Sequence, residues 1–465
     1  MFVLAESVAK KWAPVIDNPD LPPITDPYKK MVVTQLLENT ARAEYNDMLE
    51  FKAQNPWMTL NEAAPINAMG ASSSTHGTGN VDTFDPILIS MIRRSMPNLN
   101  AFDYVGVQPM TGPSSTIFAL RARETSQTGT EIFYNESSTS LTGIGGTNAT
   151  ANSLNGYANS TQVGGAASLV GTVPGVSNNA GNNTYNFSGA FSRTLAEGLG
   201  VNSTAIWGQV AISVEKVNVE AKTRAIKTDY SQELAQDLRA IHNIDAATLL
   251  SDTMQAQIVA DINREMMRTV NITAVPGSQT GTASAGTFDL DVDSNGRWHN
   301  EKYKGLMVQI DMEANKIAKD TRLGRGNVII TSSNVASALR SVGLLSNTPN
   351  LNGNNGLNVD DTGNTFAGVL NGSFKLFIDP YTTADYFTVG YRGTNPIEAG
   401  LFYCPYVPAQ KAMAVNPDTL QPIMGYKTRY GVVANPFAEG TTQGLGRLLQ
   451  DSNVWYRRSR CSNIL

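Results

Sequence analysis

The sequence has few of the residues on which catalytic and metal sites are usually built. Its 465 residues include two cysteines and three histidines. Two cysteines cannot form a disulfide framework, and their scarcity fits a reducing compartment. His76, His242 and His299 lie in separate segments without metal-ligand spacing. Phosphate-loop, dinucleotide-binding, metalloprotease and nucleophile-elbow motifs are also missing. We therefore expect no catalytic residues, no cofactor and no enzymatic activity.

Charged residues and long apolar runs are equally sparse. Only 16% of the residues are charged, and the formal net charge is −5. An acidic chain without a basic stripe does not predict sequence-specific binding to nucleic acid, because it would repel the phosphate backbone. No apolar stretch approaches the roughly 20 residues of a membrane helix, and the first residues lack the basic flank of a secretory signal. We expect no membrane partner.

Residues 209–275 contain no glycine and no proline, although the chain has 40 glycines and 21 prolines. Apolar and polar side chains alternate from Val210 to Arg224, which predicts a long strand with one solvent-facing side. From Asp229 onward apolar residues recur every four positions. This spacing predicts a long amphipathic helix that bends at Asn243–Asp245. The strand and the helix together predict a spine on which the other segments pack.

Residues 1–62 predict a helical leader. Asp26 and Pro27 favour the start of a helix, and Asn55-Pro56 favours its end. We interpret this helix as one that binds another protein surface, the alternative being an ordinary terminal helix of the domain. Residues 63–84 are small and aperiodic, which predicts an extended arm.

The middle of the chain is polar and rich in glycine. We expect residues 124–208 to form an excursion between a strand that ends near Arg123 and the strand at Val210. It is either a disordered insert or, as its scattered apolar residues favour, a small β module. The later elements mix without βαβ regularity, which predicts an α+β fold. They are expected at Gly305–Lys319, Asn327–Thr331, Asn334–Arg340, Phe374–Ile378, Tyr386–Tyr391, Gly400–Val407 and Thr428–Val433.

One short motif resembles the first half of a calcium-binding loop. Asp291, Asp293 and Asn295 supply oxygen ligands at alternate positions, and Gly296 follows at the turn. The twelfth position, which should be a bidentate glutamate, is Lys302. We therefore treat the three residues as a weak metal-site candidate and favour a plain Asp/Asn/Gly turn.

Seven long, collinear stretches together resemble the major capsid proteins of T-even-type tailed phages, which are myoviruses. The insert 124–208 and the loop 347–363 lie outside this resemblance. The stretches are MIRRSMPNLNAFDYVGVQPM (91–110), IFALRA (117–122), YSQELAQDLRAIHNID (230–245), INREMMRTVN (262–271), FAGVLNGSFKLFIDPY (366–381), DYFTVGYRGTNPIEAGLFYCPYVP (385–408) and QPIMGYKTRYGVVANPFAE (421–439).

The resemblance implies the Hong Kong 97-type phage capsid fold, with a long spine helix, an N-terminal arm, an extended loop and an axial domain. The implied regions are a scaffold-like, cleaved propeptide (1–62), the arm (63–110), the extended loop (111–228) with an insertion domain at about 124–208, the peripheral domain with the spine helix (229–326), the axial domain (327–436) and a return to the peripheral domain (437–465).

The resemblance also implies function. The chain would self-assemble into hexameric capsomers of an icosahedral head that encloses double-stranded DNA. A prohead protease of this family cuts after glutamate in a Leu/Ile-x-Glu sequence, and Leu60-Asn61-Glu62 followed by Ala63 fits. Glu6, Glu38 and Glu197 also match, but only Glu62 lies where the helical leader meets the arm.

Implied partners are further copies of the chain, the vertex protein, the portal, scaffold and core proteins, the prohead protease and decoration proteins. Packaged DNA would lie on the inner face without sequence-specific contacts. Assembly is expected in the host cytoplasm and the final location is the virion capsid. Two alternatives stay open: a paralogous pentameric capsid vertex protein, and a carbohydrate-binding surface protein built around residues 124–208.

Overall fold

The structure is a computed structural model. It describes residues 6–18, 24, 26–54, 92–93, 96, 99–129, 131–132, 196–199, 207–279, 281–294, 298–343, 345–346, 365–415, 421–440 and 444–464. Most of the predicted arm (63–110) and of the insert (124–208) therefore lies outside the described residues.

Helices and strands alternate irregularly along the described chain, which confirms the predicted α+β class. The helices are α1 (Glu6–Ile16), α2 (Pro27–Gln54), α3 (Ala101–Tyr104), α4 (Gln232–His242), α5 (Ala246–Thr273), α6 (His299–Thr321) and α7 (Ser333–Ser341). The strands are β1 (Gly106–Val107), β2 (Ser114–Glu124), β3 (Val210–Glu220), β4 (Lys222–Asp229), β5 (Ala274–Pro276), β6 (Thr287–Asp289), β7 (Val328–Ser332), β8 (Leu345–Ser346), β9 (Thr365–Leu370), β10 (Phe374–Asp379), β11 (Tyr386–Gly390), β12 (Leu401–Val415), β13 (Pro422–Ala434) and β14 (Asn453–Ser462).

The chain divides into two compact units. Unit 1 comprises Met1–Ile117, Asn218–Ala438 and Gly446–Leu465, and unit 2 comprises Phe118–Val217 and Glu439–Leu445. The residues of each unit contact one another more than they contact the residues of the other unit. The finer assignment into arm, extended loop, peripheral domain and axial domain stays a prediction.

Unit 1 contains two sheets. The first has the order β1-β12-β13-β4, in which β1 runs parallel to β12 and the other pairs are antiparallel. The second is eight-stranded among the described residues, with the order β5-β14-β11-β7-β10-β9-β8 and β6 added beside β14. The strand β14, which the sequence did not predict, is paired with β11 from Tyr456 to Arg460 and lies inside this sheet. Strands β2 and β3 pair as a separate two-stranded ribbon.

The predicted spine helix is present, with the predicted bend. The Ser231 hydroxyl caps α4 by accepting a hydrogen bond from the Leu234 N–H at 3.2 Å. At Asn243 the chain adopts the left-handed conformation, with φ of 54°, which asparagine tolerates better than most residues. The Asp245 carboxylate then caps α5 by accepting from the Ala247 N–H at 3.4 Å. Two capped helices therefore replace one continuous rod.

The second part of the spine carries the buried stripe that the four-residue spacing predicts. Met254, Ile262, Met266 and Val270 on α5 are all buried in the core of unit 1. In contrast, α4 is described in full and buries none of its side chains. Of the two spine helices, therefore, only α5 serves as a core helix of the isolated chain.

The leader packs on its own chain, which corrects the expectation that its partner is a different protein surface. The Asp26 carboxylate accepts from the Tyr28 N–H at 2.9 Å and starts α2 as predicted. Val32 and Val33 are completely buried, and Trp12 and Ile16 of α1 lie in the same hydrophobic cluster. Hydrophobic burial holds the leader in unit 1, so the alternative of a terminal domain helix describes this structure.

Candidate assembly surfaces

The two-stranded ribbon has an inverted polarity, with apolar side chains on the face that meets solvent. The even-numbered residues are exposed from Ser114 to Leu120 on β2 and along the whole of β3. On β2 this face carries Phe118 and Leu120, which are 62% and 67% exposed. On β3 it carries Val210, Ile212 and Val214, which are 61%, 63% and 64% exposed. A contiguous apolar face of this kind marks a protein interaction surface.

The opposite face of the ribbon carries buried charges. The Arg121 side chain donates to Glu215 at 2.9 Å, to Glu131 and to the Gly440 carbonyl at 3.0 Å. Arg123 donates to the second oxygen of the Glu215 carboxylate at 3.1 Å. Buried charges need several partners to offset the loss of hydration, and this network supplies them. These ion pairs, all within unit 2, fix which face of the ribbon is buried and which meets solvent.

This arrangement corrects the predicted solvent-facing side of the strand. The alternation between Val210 and Arg224 predicted that apolar residues would be buried and charged residues exposed. Val217 and Val219 are indeed buried, but Val214 is exposed and Glu215 is 3% exposed. The phase of the apolar pattern shifts by one residue between Val214 and Val217, so the strand presents apolar side chains on opposite faces in its two halves.

The leader is anchored by hydrogen bonds to main-chain carbonyls as well as by apolar contacts. The Asn39 amide group of α2 donates to the Met110 carbonyl at 2.6 Å and to the Tyr406 carbonyl at 2.9 Å. The Tyr28 hydroxyl donates to the Val107 carbonyl. These acceptors belong to β1, the segment after it and β12, so the leader covers one edge of the four-stranded sheet.

A charged cluster joins the spine helix to the same sheet. The Tyr430 hydroxyl of β13 donates to the Glu265 carboxylate of α5, and Arg224 of β4 donates to that carboxylate at 2.8 Å. Burial raises the pKa of Tyr430 well above its ordinary value, and the hydrogen bond to Glu265 acts in the same direction. This cluster fixes α5 against β4 and β13.

The calcium-loop candidate is engaged by groups of its own chain. Lys302 forms an ion pair with the Asp291 carboxylate. The two oxygens of Asp293 accept hydrogen bonds from the Ala283 and Asp289 N–H groups at 2.7 and 2.8 Å. Asn295 lies outside the described residues. Within the described part of the chain, no three His, Cys, Asp or Glu side chains are grouped as metal ligands.

The predicted cleavage residues Leu60, Glu62 and Ala63 lie outside the described residues, so they stay a prediction. None of the helices described in the structure is long and apolar enough to cross a membrane. The sequence does not predict the apolar face of the ribbon, because Phe118 and Leu120 follow an ordinary strand alternation. Their exposure depends on the charged residues that occupy the other face.

Comparison with known proteins gives a consistent result over nearly the whole chain. A family model described as "Major capsid protein Gp23" matches residues 81–461. The major capsid protein of Salmonella phage ViI is 37% identical over 481 aligned residues, which cover 99% of each chain. The major capsid protein of Serratia phage KSP90 is 35% identical over 481 residues, again covering 99% of each.

The capsid vertex protein of Enterobacteria phage T4 is a weaker match, 25% identical over 258 residues that cover 52% of this chain and 56% of that protein. A solved structure, the capsid of Myoviridae phage XM1, aligns with a TM-score of 0.35 and 9% identity over 78% of this chain and 92% of that chain. The full-length relatives therefore favour the major capsid proteins over the vertex proteins.

Proposed function

Since this chain belongs to the Gp23 family of phage major capsid proteins, which are structural proteins of the head shell and not enzymes, we propose that it assembles into hexameric capsomers of an icosahedral head. The head encloses double-stranded DNA. The feature that supports this proposal is the exposed apolar face of the β2–β3 ribbon.

A second copy of the chain is the occupant that this face requires. Isolated Phe or Ile side chains on a surface need no explanation, but five on one face of a two-stranded ribbon do. The buried ion pairs of Arg121 and Glu215 hold the ribbon in the orientation that exposes them. In a shell, each ribbon is covered by the neighbouring copy, and the apolar burial contributes to the stability of the capsomer.

Replacing one residue of the ribbon face tests this role. Ile212→Asn should abolish or strongly reduce the formation of shells or tubes, because it places a polar amide in an apolar contact. Lys227→Asn introduces the same residue at an exposed position of β4, outside the ribbon, and should assemble as the wild type does. Assembly is measured by sedimentation and negative-stain electron microscopy. If Ile212→Asn assembles as well as the wild type does, the ribbon face is not a contact between copies.

Maturation by proteolysis is the second part of the proposal. The prohead protease cuts after Glu62 and separates the leader from the rest of the chain, after which the shell matures. In particles that carry Glu62→Ala, N-terminal sequencing should find no chain that begins at Ala63. Wild-type particles should contain chains that begin at this residue. If Glu62→Ala particles also contain chains that begin at Ala63, the cleavage site has been assigned wrongly.

The remaining partners follow from assembly of a head in the host cytoplasm. The shell contacts scaffold and core proteins before cleavage, and it contacts the vertex protein, the portal and decoration proteins afterwards. The negative net charge of the chain supports contacts with packaged DNA that are few and independent of sequence.

A further inference from the structure

The most unexpected feature of unit 1 is how deeply the leader is buried. On α2 the residues Val32–Leu37 and Asn39–Ala41 are all buried, so this stretch is covered on every side. One side is covered by α1, where the Trp12 ring nitrogen donates to the Glu38 carboxylate at 2.9 Å. Another side meets the four-stranded sheet and shares its hydrophobic cluster with Val107 and Tyr403. A segment that is to be discarded is packed as tightly as a permanent core helix.

The polar contacts of the leader are also those of a core element. Met110 and Tyr406 each direct a carbonyl oxygen at the Asn39 amide group. On the other side, the buried Arg93 side chain donates twice to the Ile16 carbonyl at the end of α1, at 2.8 and 3.2 Å. Removal of the leader would take at least one hydrogen-bond partner from each of these groups, and the loss of a hydrogen bond at a buried group lowers stability.

We infer that the surface formed by residues 101–110 and β12 is a helix-binding groove whose ligand is the chain's own segment 6–54, and that this segment stays bound after the chain has been cut beyond it. The inference rests on the proposed removal of the leader. It adds that cleavage and release are separate steps.

A cut after Glu62 breaks one peptide bond. It breaks none of the contacts described above, because on the leader side they all lie within residues 6–54 and none involves the cut bond. Another leader sequence that fits the protease, the one ending at Glu38, lies within α2. There the Glu38 carboxylate is held by Trp12 and by Lys11 at 2.8 Å. The folded leader therefore protects this site. Release requires a later change in the groove, such as that produced when neighbouring copies rearrange in the shell.

An engineered cut tests retention directly. The recognition sequence of a sequence-specific protease is placed after Glu62 in the full-length, unassembled chain, so that the result does not depend on where the natural protease cuts. After complete cutting, the leader and the remainder should elute together in size-exclusion chromatography in native buffer and separate in urea. Separation of the two pieces in native buffer would overturn the inference while leaving the assignment of Glu62 as the natural site untouched.

A pair of matched variants tests whether the groove is what holds the leader. Asn39→Asp places a carboxylate against two carbonyl oxygens and should weaken retention at least about ten-fold, the change that 1.4 kcal/mol produces. Asn46→Asp makes the same change at an exposed position of the same helix and should retain the leader as the wild type does. Retention is measured as the rate at which the labelled leader exchanges against unlabelled leader.

Equal exchange rates for Asn39→Asp and the wild type would show that another surface holds the leader. Thermal unfolding of the uncut variants checks that both fold. If uncut Asn39→Asp does not fold, Val32→Ala replaces it. Val32 is buried and lies seven residues before Asn39, on the same face of α2, so the loss of two methyl groups weakens the same contact less severely. Faster exchange of the Val32→Ala leader supports the groove, and an unchanged rate contradicts it.

Discussion

Glu313 in unit 1 is a buried charged residue with several hydrogen-bond partners, and these partners determine how much stability its replacement costs. The Glu313 carboxylate of α6 accepts from Arg457 Nε of β14 at 2.6 Å. Its other oxygen accepts from the Ser278 N–H at 2.7 Å and from the Gln309 amide group at 3.0 Å. Both charged side chains are less than a tenth exposed. One residue thus joins the C-terminal strand, a helix and a loop.

Removal of this carboxylate should destabilise the fold strongly. Glu313→Ala leaves the Arg457 guanidinium with the Asp320 carboxylate at 3.3 Å and the Pro276 carbonyl at 3.4 Å, both more distant, and it leaves the Ser278 N–H without the Glu313 acceptor. We expect the free energy of unfolding to fall by about 3–5 kcal/mol. The measurement is urea unfolding followed by tryptophan fluorescence.

The matched control is Asp311→Ala on the same helix. Asp311 pairs with Arg325 at the surface, where both side chains are about 40% exposed, so its removal should cost at most about 1 kcal/mol. Similar losses for Glu313→Ala and Asp311→Ala would contradict the account of the buried network.

At the scale of elements, tyrosines hold the four-stranded sheet together in a way that depends on pH. Tyr403 of β12 and Tyr430 of β13 face each other, with ring centroids 5.3 Å apart. Burial raises the pKa of Tyr403 far above its ordinary value, because the phenolate would lose its hydration. Since the unfolded chain ionises near pH 10 and the folded chain does not, the folded state loses stability as the pH rises above about 10.

This dependence predicts a specific effect of Tyr403→Phe. Between about pH 9 and about pH 11 the free energy of unfolding should fall by about 1.4 kcal/mol less in Tyr403→Phe than in the wild type, because one buried hydroxyl no longer ionises on unfolding. Tyr45→Phe, at an exposed position on α2, is the control for the loss of a tyrosine hydroxyl as such. Urea unfolding at the two pH values measures the difference, and identical curves for Tyr403→Phe and the wild type would disprove the role of this residue.

The sequence predicted those elements whose apolar residues are buried within their own unit, because their spacing then matches the period of the helix or strand. The α5 stripe, the bend at Asn243 and the capped start of α2 follow from local spacing and capping chemistry. The strand β14 did not follow, because its sequence NVWYRRSRCS places three arginines in a strand. One of them, Arg457, is buried only because Glu313 and Asp320 lie on a distant helix.

The faces of the ribbon could not be predicted for a related reason. An apolar residue on a strand is expected to face the core of its own chain, and that expectation holds for Val217 and fails for Ile212. In the proposed assembly the Ile212 side chain is covered by a neighbouring copy, and no local sequence pattern encodes such a contact. The leader differs from the predicted arrangement in the opposite direction. Its charged residues suggested contact with another protein, but its apolar residues pack in the core of unit 1.

At the scale of the whole molecule, the fold combines a well-packed unit 1 with apolar surfaces that remain open. The ribbon face is one such surface. Leu234 and Ile241 of α4, which are 49% and 74% exposed, form another, on a helix without a single buried side chain. Exposed apolar surfaces promote aggregation of a monomer, and they are expected in a protein whose stability depends on assembly. The chain is therefore completed by further copies of itself.

The most direct test of the account is cryo-electron microscopy of assemblies formed by the purified chain, with and without Ile212→Asn. The account predicts closed shells or tubes built from six-fold capsomers for the wild type, with each β2–β3 ribbon covered by an adjacent copy, and no such assemblies for Ile212→Asn. Wild-type protein that stays monomeric under all assembly conditions, or capsomers in which the apolar face of the ribbon is exposed to solvent, would contradict it.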